Sequence, residues 1–268
     1  MTEAMPWVTG RTRVFGVIAH PCDHVRAPMV FNPLFAAREL PHVMVPIDVA
    51  PDDLATVISG LRAQQNFCGL AVTIPHKVAL AALCDHLGTA AQLTGAVNAV
   101  KFALDGSIHG DNFDGVGFTA GLAAHDHEIA GKRVLLLGAG GAARAIALAL
   151  CEGGATLMVQ NRSPEKAEAL VGNLRELGGF DTVSAVADHD GHGVDMIINT
   201  TSLGLHDGDA LPLALDAVDA HTLICDIIMV PERTVWLQAA EARGLATHYG
   251  RHMLDYQIPL IGSFIGAL

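Results

Sequence analysis

The sequence predicts an α/β fold of two domains, on three observations. Short apolar runs alternate with segments of helical period along the chain, and the alternation restarts near residues 111–115. The second half then opens on an apolar run, residues 134–137, that ends in a glycine cluster. A chain of 268 residues is long enough for two modest cores.

In order, residues 14–19 and 42–49 read as buried strands. Residues 28–40 between them have helical composition, with Pro41 as the stop. Leu54, Val57, Ile58 and Leu61 fall at i, i+3, i+4 and i+7, one face of an amphipathic helix. A third strand, residues 68–74, leads through Pro75 into a helix expected to run to about Leu87. Residues 98–103 and 107–109 flank Asp105 and Gly106, predicting a hairpin with a two-residue turn.

In the second half, residues 133–137 and 156–160 read as strands and residues 142–150 as a helix. Ser163 and Pro164 suit the N-cap and first position of a helix that carries Ala167, Leu170, Val171 and Leu174 at helical spacing. Residues 196–198 and 223–228 are short buried strands, and residues 255–267 form a last helix. Strands alternating with helices predict parallel sheets covered on both faces.

Hydrophobic residues make up 51% of the chain and charged residues 16%, which favours a packed core over disorder. A formal charge of −12 argues against nucleic-acid or anionic-membrane partners, although a pocket for a small anion can still be locally positive. Five scattered cysteines without a CxxC pair predict reduced thiols. Glu3, Arg11 and Arg13 interrupt the first residues, so no signal peptide is expected and the protein is placed in the cytoplasm. Residues 134–151 are apolar but broken by glycines and Arg144, so no membrane span is expected.

Gly138-Ala139-Gly140-Gly141-Ala142-Ala143 matches G-x-G-x-x-A between a strand and a helix. Gly138 permits the tight turn, Gly140 lets the backbone approach a pyrophosphate, and Ala143 lets helix and strand pack closely. These features predict a Rossmann-type dinucleotide-binding domain. At the end of the next strand stand Asn161, Arg162, Ser163 and Lys166, where an NAD site would place a carboxylate. A guanidinium can bind a 2′-phosphate bidentately, so the cofactor is expected to be NADP.

Thr73-Ile74-Pro75-His76-Lys77 places a lysine at the start of a helix, and Gly110-Asp111-Asn112-Phe113-Asp114-Gly115 places a carboxylate at the domain junction. A lysine and an aspartate beside a nicotinamide can handle the proton that accompanies hydride transfer; surface ion pairing is the alternative.

In order and spacing these motifs resemble the shikimate dehydrogenase family. Gly95-Ala96-Val97-Asn98, Asn199-Thr200-Thr201-Ser202 with Gly204, Asp226 with Pro231 and Thr234, and Met253-Leu254 with Gln257 extend the match along nearly the whole chain. The resemblance implies a substrate domain of residues 1–112 to which the helix of residues 251–268 returns. It implies a Rossmann domain of residues 113–250 and an active site in the cleft between the two.

It further implies Lys77 and Asp114 as a catalytic dyad, with Thr73, Asn98 and Gln257 on the substrate's ring hydroxyls. The cofactor set then comprises Gly138, Ala139, Gly140, Gly141, Ala142, Asn161, Arg162, Ser163, Lys166, Thr200 and Gly250. The implied reaction is reversible NADP-linked oxidation of shikimate to 3-dehydroshikimate, in aromatic amino acid biosynthesis, by a monomer or homodimer. Quinate or another cyclic hydroxy acid as substrate is an alternative, and a non-catalytic dinucleotide-binding regulator is another.

The sequence departs from the family on the substrate side. The family holds the substrate carboxylate with two serines, and Val25 and Ala27 align with them in a loop about three residues longer. Ala99, Phe113 and Met229 also replace the usual threonine, threonine and tyrosine. Arg26, His20 or His24 could supply a charge-assisted contact instead, and Arg26 is the favoured candidate. His20, Cys22, Asp23 and His24 lack further ligands at readable spacing. His125-Asp126-His127 and the histidines at 189 and 192 sit in separate polar loops, so no metal is expected.

Overall fold

The computed structural model describes residues 8–23, 25–206 and 208–268. Two compact units divide the chain: one runs through Phe113 and includes Pro259–Leu268, and the other is Asp114–Ile258. His24, one of the candidate anion ligands, lies outside the described residues.

The first unit contains β1 (Arg13–Ala19), α1 (Ala27–Ala37), β2 (His42–Asp48), α2 (Leu54–Arg62), β3 (Phe67–Val72) and α3 (Lys77–Ala81). It continues with β4 (His86–Leu87), α4 (Thr89–Thr94), β5 (Ala99–Phe102) and β6 (Ile108–Asp111). The strand order is β2-β1-β3-β5-β6-β4. β1 runs parallel to β2 and β3, whereas β5 is antiparallel to β3 and β6. The sheet is therefore mixed rather than parallel, because a short hairpin can only join antiparallel strands. Ile18, Leu70, Val72, Leu80 and Val100 build its core.

Two local expectations need correction. The helix after Pro75 stops at Ala81, not near Leu87, because Asp85 exchanges hydrogen bonds with Ile108. The Ile108 N–H donates to the Asp85 carboxylate at 2.7 Å, and the Asp85 N–H donates to the Ile108 carbonyl at 2.8 Å. That exchange pulls His86 and Leu87 alongside β6 as a strand. The hairpin loop has three residues, not two: Ala103 N–H bonds the Ser107 carbonyl, and Gly106 sits at φ +84°. A type I turn closed by a left-handed residue is the usual three-residue solution, and glycine makes it free of strain.

The second unit contains α5 (Asp114–Ala124), β7 (Arg133–Leu137), α6 (Gly141–Glu152), β8 (Thr156–Gln160), α7 (Pro164–Gly178) and β9 (Val183–Val186). β10 (Met196–Asn199), β11 (Leu223–Asp226), α8 (Val235–Ala242) and β12 (Thr247–His248) follow. Its strands are ordered β12-β11-β10-β7-β8-β9, and every pair is parallel. The order reverses direction between β7 and β10, the switch point where Rossmann sheets open a crevice for a dinucleotide. Leu135, Leu137, Ile197, Ile224, Trp236 and Leu237 pack the core. The indole N–H of fully buried Trp236 donates to the Leu213 carbonyl at 2.9 Å, so its one polar atom is satisfied.

The last helix, α9 (Gly250–Ile265), begins before Asp255, where the sequence pattern starts it, and next to residue 251, where the resemblance starts it. It serves both units. Its residues through Ile258 belong to the second and those from Pro259 to the first.

Candidate active site

In the first unit the candidate residues gather at one edge of the sheet. Thr73 follows β3, and its N–H donates to the Ile18 carbonyl of β1 at 3.1 Å. Four residues on, Lys77 opens α3 and is half-buried. Buried His76 anchors that start: its Nε2 bonds the Val49 carbonyl at 2.9 Å, and the Lys77 carbonyl accepts from Val97. The motif was legible in the sequence, but this positioning role of its histidine was not.

Asn98 is buried beside the same edge. Its carbonyl accepts from Val72 at 2.8 Å, and its side-chain oxygen accepts the Phe113 N–H at 2.8 Å. The side chain so holds the segment that leads into Asp114. Asn112, also buried, donates to the Ala96 carbonyl at 3.1 Å.

The loop after β1 reaches the same edge, through the His20 N–H on the Ile74 carbonyl at 3.3 Å. His20 Nδ1 lies 2.8 Å from the Asp48 carboxylate, and that hydrogen bond holds Asp48 below the usual carboxylate range. His20 is therefore engaged by a carboxylate of its own unit. Arg26 is exposed at the N-cap of α1 and makes no side-chain cap.

In the second unit, Gly138 follows β7 at φ +113°, and a β-carbon there would meet the Thr200 hydroxyl at 2.5 Å. Its N–H donates to the Gln160 carbonyl at 2.8 Å, and Thr200 Oγ1 donates to the Leu137 carbonyl at 2.6 Å. The ends of β7, β8 and β10 are thereby locked together around the glycine turn. Gly140 is the N-cap of α6 without a side-chain cap, so the first N–H groups of that helix are available to an anion. A β-carbon at Gly140 or Gly141 would meet nothing within 4 Å, leaving room for a phosphate to approach the backbone. Ala139 and Ala143 are buried under the turn.

Arg144, in the first turn of α6, has a buried Nε without a hydrogen-bond partner among the described residues. Sequence reasoning took it only as a break in an apolar run. Arg162 and Lys166 are exposed after β8, and Asn161 donates to the Ser163 carbonyl at 2.9 Å. Ser163 takes the N-cap position of α7 with Pro164 next, as expected, but its side chain makes no capping bond.

Asp114 opens α5 and is buried. Its neighbour Gly115 lies against the Ala145 carbonyl of α6. That approach places Asp114 beside the helix that follows the glycine turn. Gly117, on the same helix, packs on Gln257 and Met253 of α9, and Gln257 is itself buried. Gly250 has the Ile227 and Ile228 backbone against its Cα, a close approach that a side chain would prevent.

The loops after β10 and β11 are braced by polar groups rather than catalytic ones. Asp226 is fully buried and accepts from Asn199 at 3.2 Å, Thr234 Oγ1 at 3.0 Å and the Ile228 N–H at 3.0 Å. Burial pushes its carboxyl up, against the pull of those three bonds. Thr234 then caps α8 through the Leu237 N–H. A large open depression of about 1140 Å³ lies at the opposite edge of this sheet, lined by Lys132, Asp195, Met196 and Leu223. It is remote from the glycine turn and from the strand ends where such sheets bind ligands.

Residues 17–100 match the family model of the shikimate dehydrogenase substrate binding domain, and residues 121–203 that of shikimate/quinate 5-dehydrogenase. The shikimate dehydrogenase (NADP⁺) of Rubrobacter xylanophilus is 40% identical over 95% of this chain and 90% of its own length. The chain belongs to the shikimate dehydrogenase family.

Solved structures agree. Shikimate 5-dehydrogenase from Thermus thermophilus, in complex with NADP(H) and shikimate, superposes with a TM-score of 0.85. The identity is 31%, with 96% of this chain and 94% of that one covered. The ligand-free 5-ketofructose reductase of a Gluconobacter species gives 0.85 at 32% identity, covering 96% and 93%. Family membership accounts for both sheets and for the glycine turn at the switch point. No described helix is long and apolar enough to cross a membrane.

Proposed function

We propose that the chain is an NADP-dependent oxidoreductase that converts shikimate reversibly to 3-dehydroshikimate. The glycine turn at the switch point, open on its outer side and followed by cations in place of a carboxylate, carries the reading. NADP supplies the hydride acceptor. Lys77 exchanges the proton with the alcohol oxygen, and Asp114 orients the lysine and the neighbouring hydroxyls. Thr73, Asn98 and Gln257 bind ring hydroxyls, and Arg26 takes over the substrate carboxylate from the missing serines. Arg162, Ser163 and Lys166 receive the 2′-phosphate, while Ala139, Gly140, Gly141, Ala142, Thr200 and Gly250 frame the rest of the dinucleotide. The protein works in the cytoplasm as a monomer or homodimer.

A second reading keeps the chemistry and changes the substrate. Val25, Ala27, Ala99, Phe113 and Met229 remove hydroxyl donors from the substrate side, and one structural neighbour of equal similarity is a 5-ketofructose reductase. Steady-state turnover of NADP and NAD with shikimate and quinate, and of NADPH with 5-ketofructose, separates the readings. Shikimate turnover, lowered about 10²–10⁴-fold in kcat by Lys77→Ala, is expected. Turnover of another polyol alone selects the second reading. Tight NADP binding without turnover of any of them selects a non-catalytic regulator.

A further inference from the structure

Three histidines of the second unit meet in space, His125 with the closely spaced pair His248 and His252. His125 follows the C-terminal end of α5, His248 lies on β12 and His252 in the first turn of α9. One ligand nitrogen from each lies within 4.8 Å of the others. His248 Nδ1 and His252 Nδ1 are 3.3 Å apart. Two nitrogens bound tetrahedrally to one ion at about 2.0–2.1 Å stand at about that separation. His125 Nδ1 bonds the Gly121 carbonyl at 2.8 Å. A carbonyl only accepts, so Nδ1 carries the proton and Nε2 the lone pair, the arrangement usual for a metal-binding imidazole.

His248 is 1% exposed, so the ring that turns Nδ1 toward His252 is held in place by the packing around it. Its Nε2, on the far side of the ring, takes no part in the site. We infer that His125, His248 and His252 form a binding site for one late first-row divalent cation of the zinc, cobalt or nickel type.

Ligand chemistry selects the class: three neutral imidazoles without thiolate favour borderline cations over magnesium or calcium. His125 and His252 stack at 3.8 Å with 19° between ring planes. Coordination turns the exposed His125 ring out of that stack, a movement open to a surface side chain. His127, whose ring centre is 5.9 Å from that of His248, is the available fourth ligand, with water as its substitute.

The test uses the untagged, chelator-treated chain and Zn²⁺ or Co²⁺ alone. Isothermal titration with Zn²⁺ is expected to give one equivalent of saturable binding. Melting temperature should rise by roughly 5–10 °C at a concentration about 100-fold above Kd. Co²⁺ should give the visible absorption of a four-coordinate site. His125→Gln, at an exposed position, and His252→Gln should each lose the stoichiometric binding while melting normally in chelator. A double His189→Gln/His192→Gln variant should keep it. Absence of saturable binding, or binding that persists in both site variants, overturns the inference.

Discussion

On the proposed reading, the side chain at position 162 sets cofactor choice. Arg162 is exposed beyond the end of β8 beside Ser163 and Lys166, where a carboxylate would repel a phosphate. Arg162→Asp is expected to move the ratio of kcat/KM for NADP over NAD about 10–100-fold toward NAD, since each charge-assisted bond lost is worth about 1.5–3 kcal/mol. An unchanged ratio would place the phosphate elsewhere. In the loop after β1, His20 is engaged by Asp48, which leaves Arg26 as the exposed cation among the described residues there. Arg26→Ala should raise KM for shikimate about tenfold with little change in kcat. Equal KM values in the two proteins would remove Arg26 from the site.

Among elements, α5 shows what the sequence conceals. Its apolar residues do not fall on one helical stripe, and Gly115, Gly117 and Gly121 lower its helix propensity. The pattern therefore predicts no helix there. The glycines are nonetheless the reason for its place, because α5 approaches α6 and α9 more closely than any side chain permits. Gly115→Ala would drive a β-carbon into the Ala145 carbonyl oxygen, a backbone atom that cannot swing away. It is expected to destabilise the protein by about 1–3 kcal/mol and to disturb Asp114, one residue away. Chemical denaturation and kcat measured together check this; unchanged values in both would show that α6 yields.

By contrast, the turn after β7 and the Thr73-to-Lys77 segment were legible, because each is a contiguous run whose residue types dictate its geometry. Arg144 and His76 were not singled out, since only the fold shows which polar atoms become buried. The histidine cluster was not assembled from the sequence for a different reason, although His125 was weighed there as a ligand and His248 and His252 stand four residues apart. His125 and His248 are joined by the topology of the second unit, and spacing along the chain carries no trace of it.

Across the whole molecule, buried histidine couples stability to acidity. His42 packs against the Phe15 and Phe35 rings, and its Nδ1 bonds the Ala267 carbonyl at 3.1 Å. Burial pushes the imidazole below its ordinary value of 6.5, outweighing the pull of that carbonyl, and the Arg13 charge adds to the lowering. A folded value below the unfolded one means that the unfolded chain takes up this proton first as pH falls. The stability it contributes is full above about pH 6.5 and is lost as pH drops toward the folded value. His42→Asn cannot titrate there, so its deficit in melting temperature against the wild type should narrow from pH 7.5 to pH 5. A deficit constant across that range would show that His42 does not gain its proton on unfolding.

The division of α9 has a consequence for biogenesis. Residues 259–268 complete the first unit: Ile265 and Ala267 are each 1% exposed, and Ile265 packs against Gly69 of β3. On the ribosome, that segment is made only after every residue of the second unit. At about 5–20 residues per second, the first unit waits roughly 7–30 s with its apolar face unfinished. The second unit can close in the meantime. The N-terminal unit is therefore the last to mature, and a chaperone acting on nascent chains would find its longest-lived client surface there.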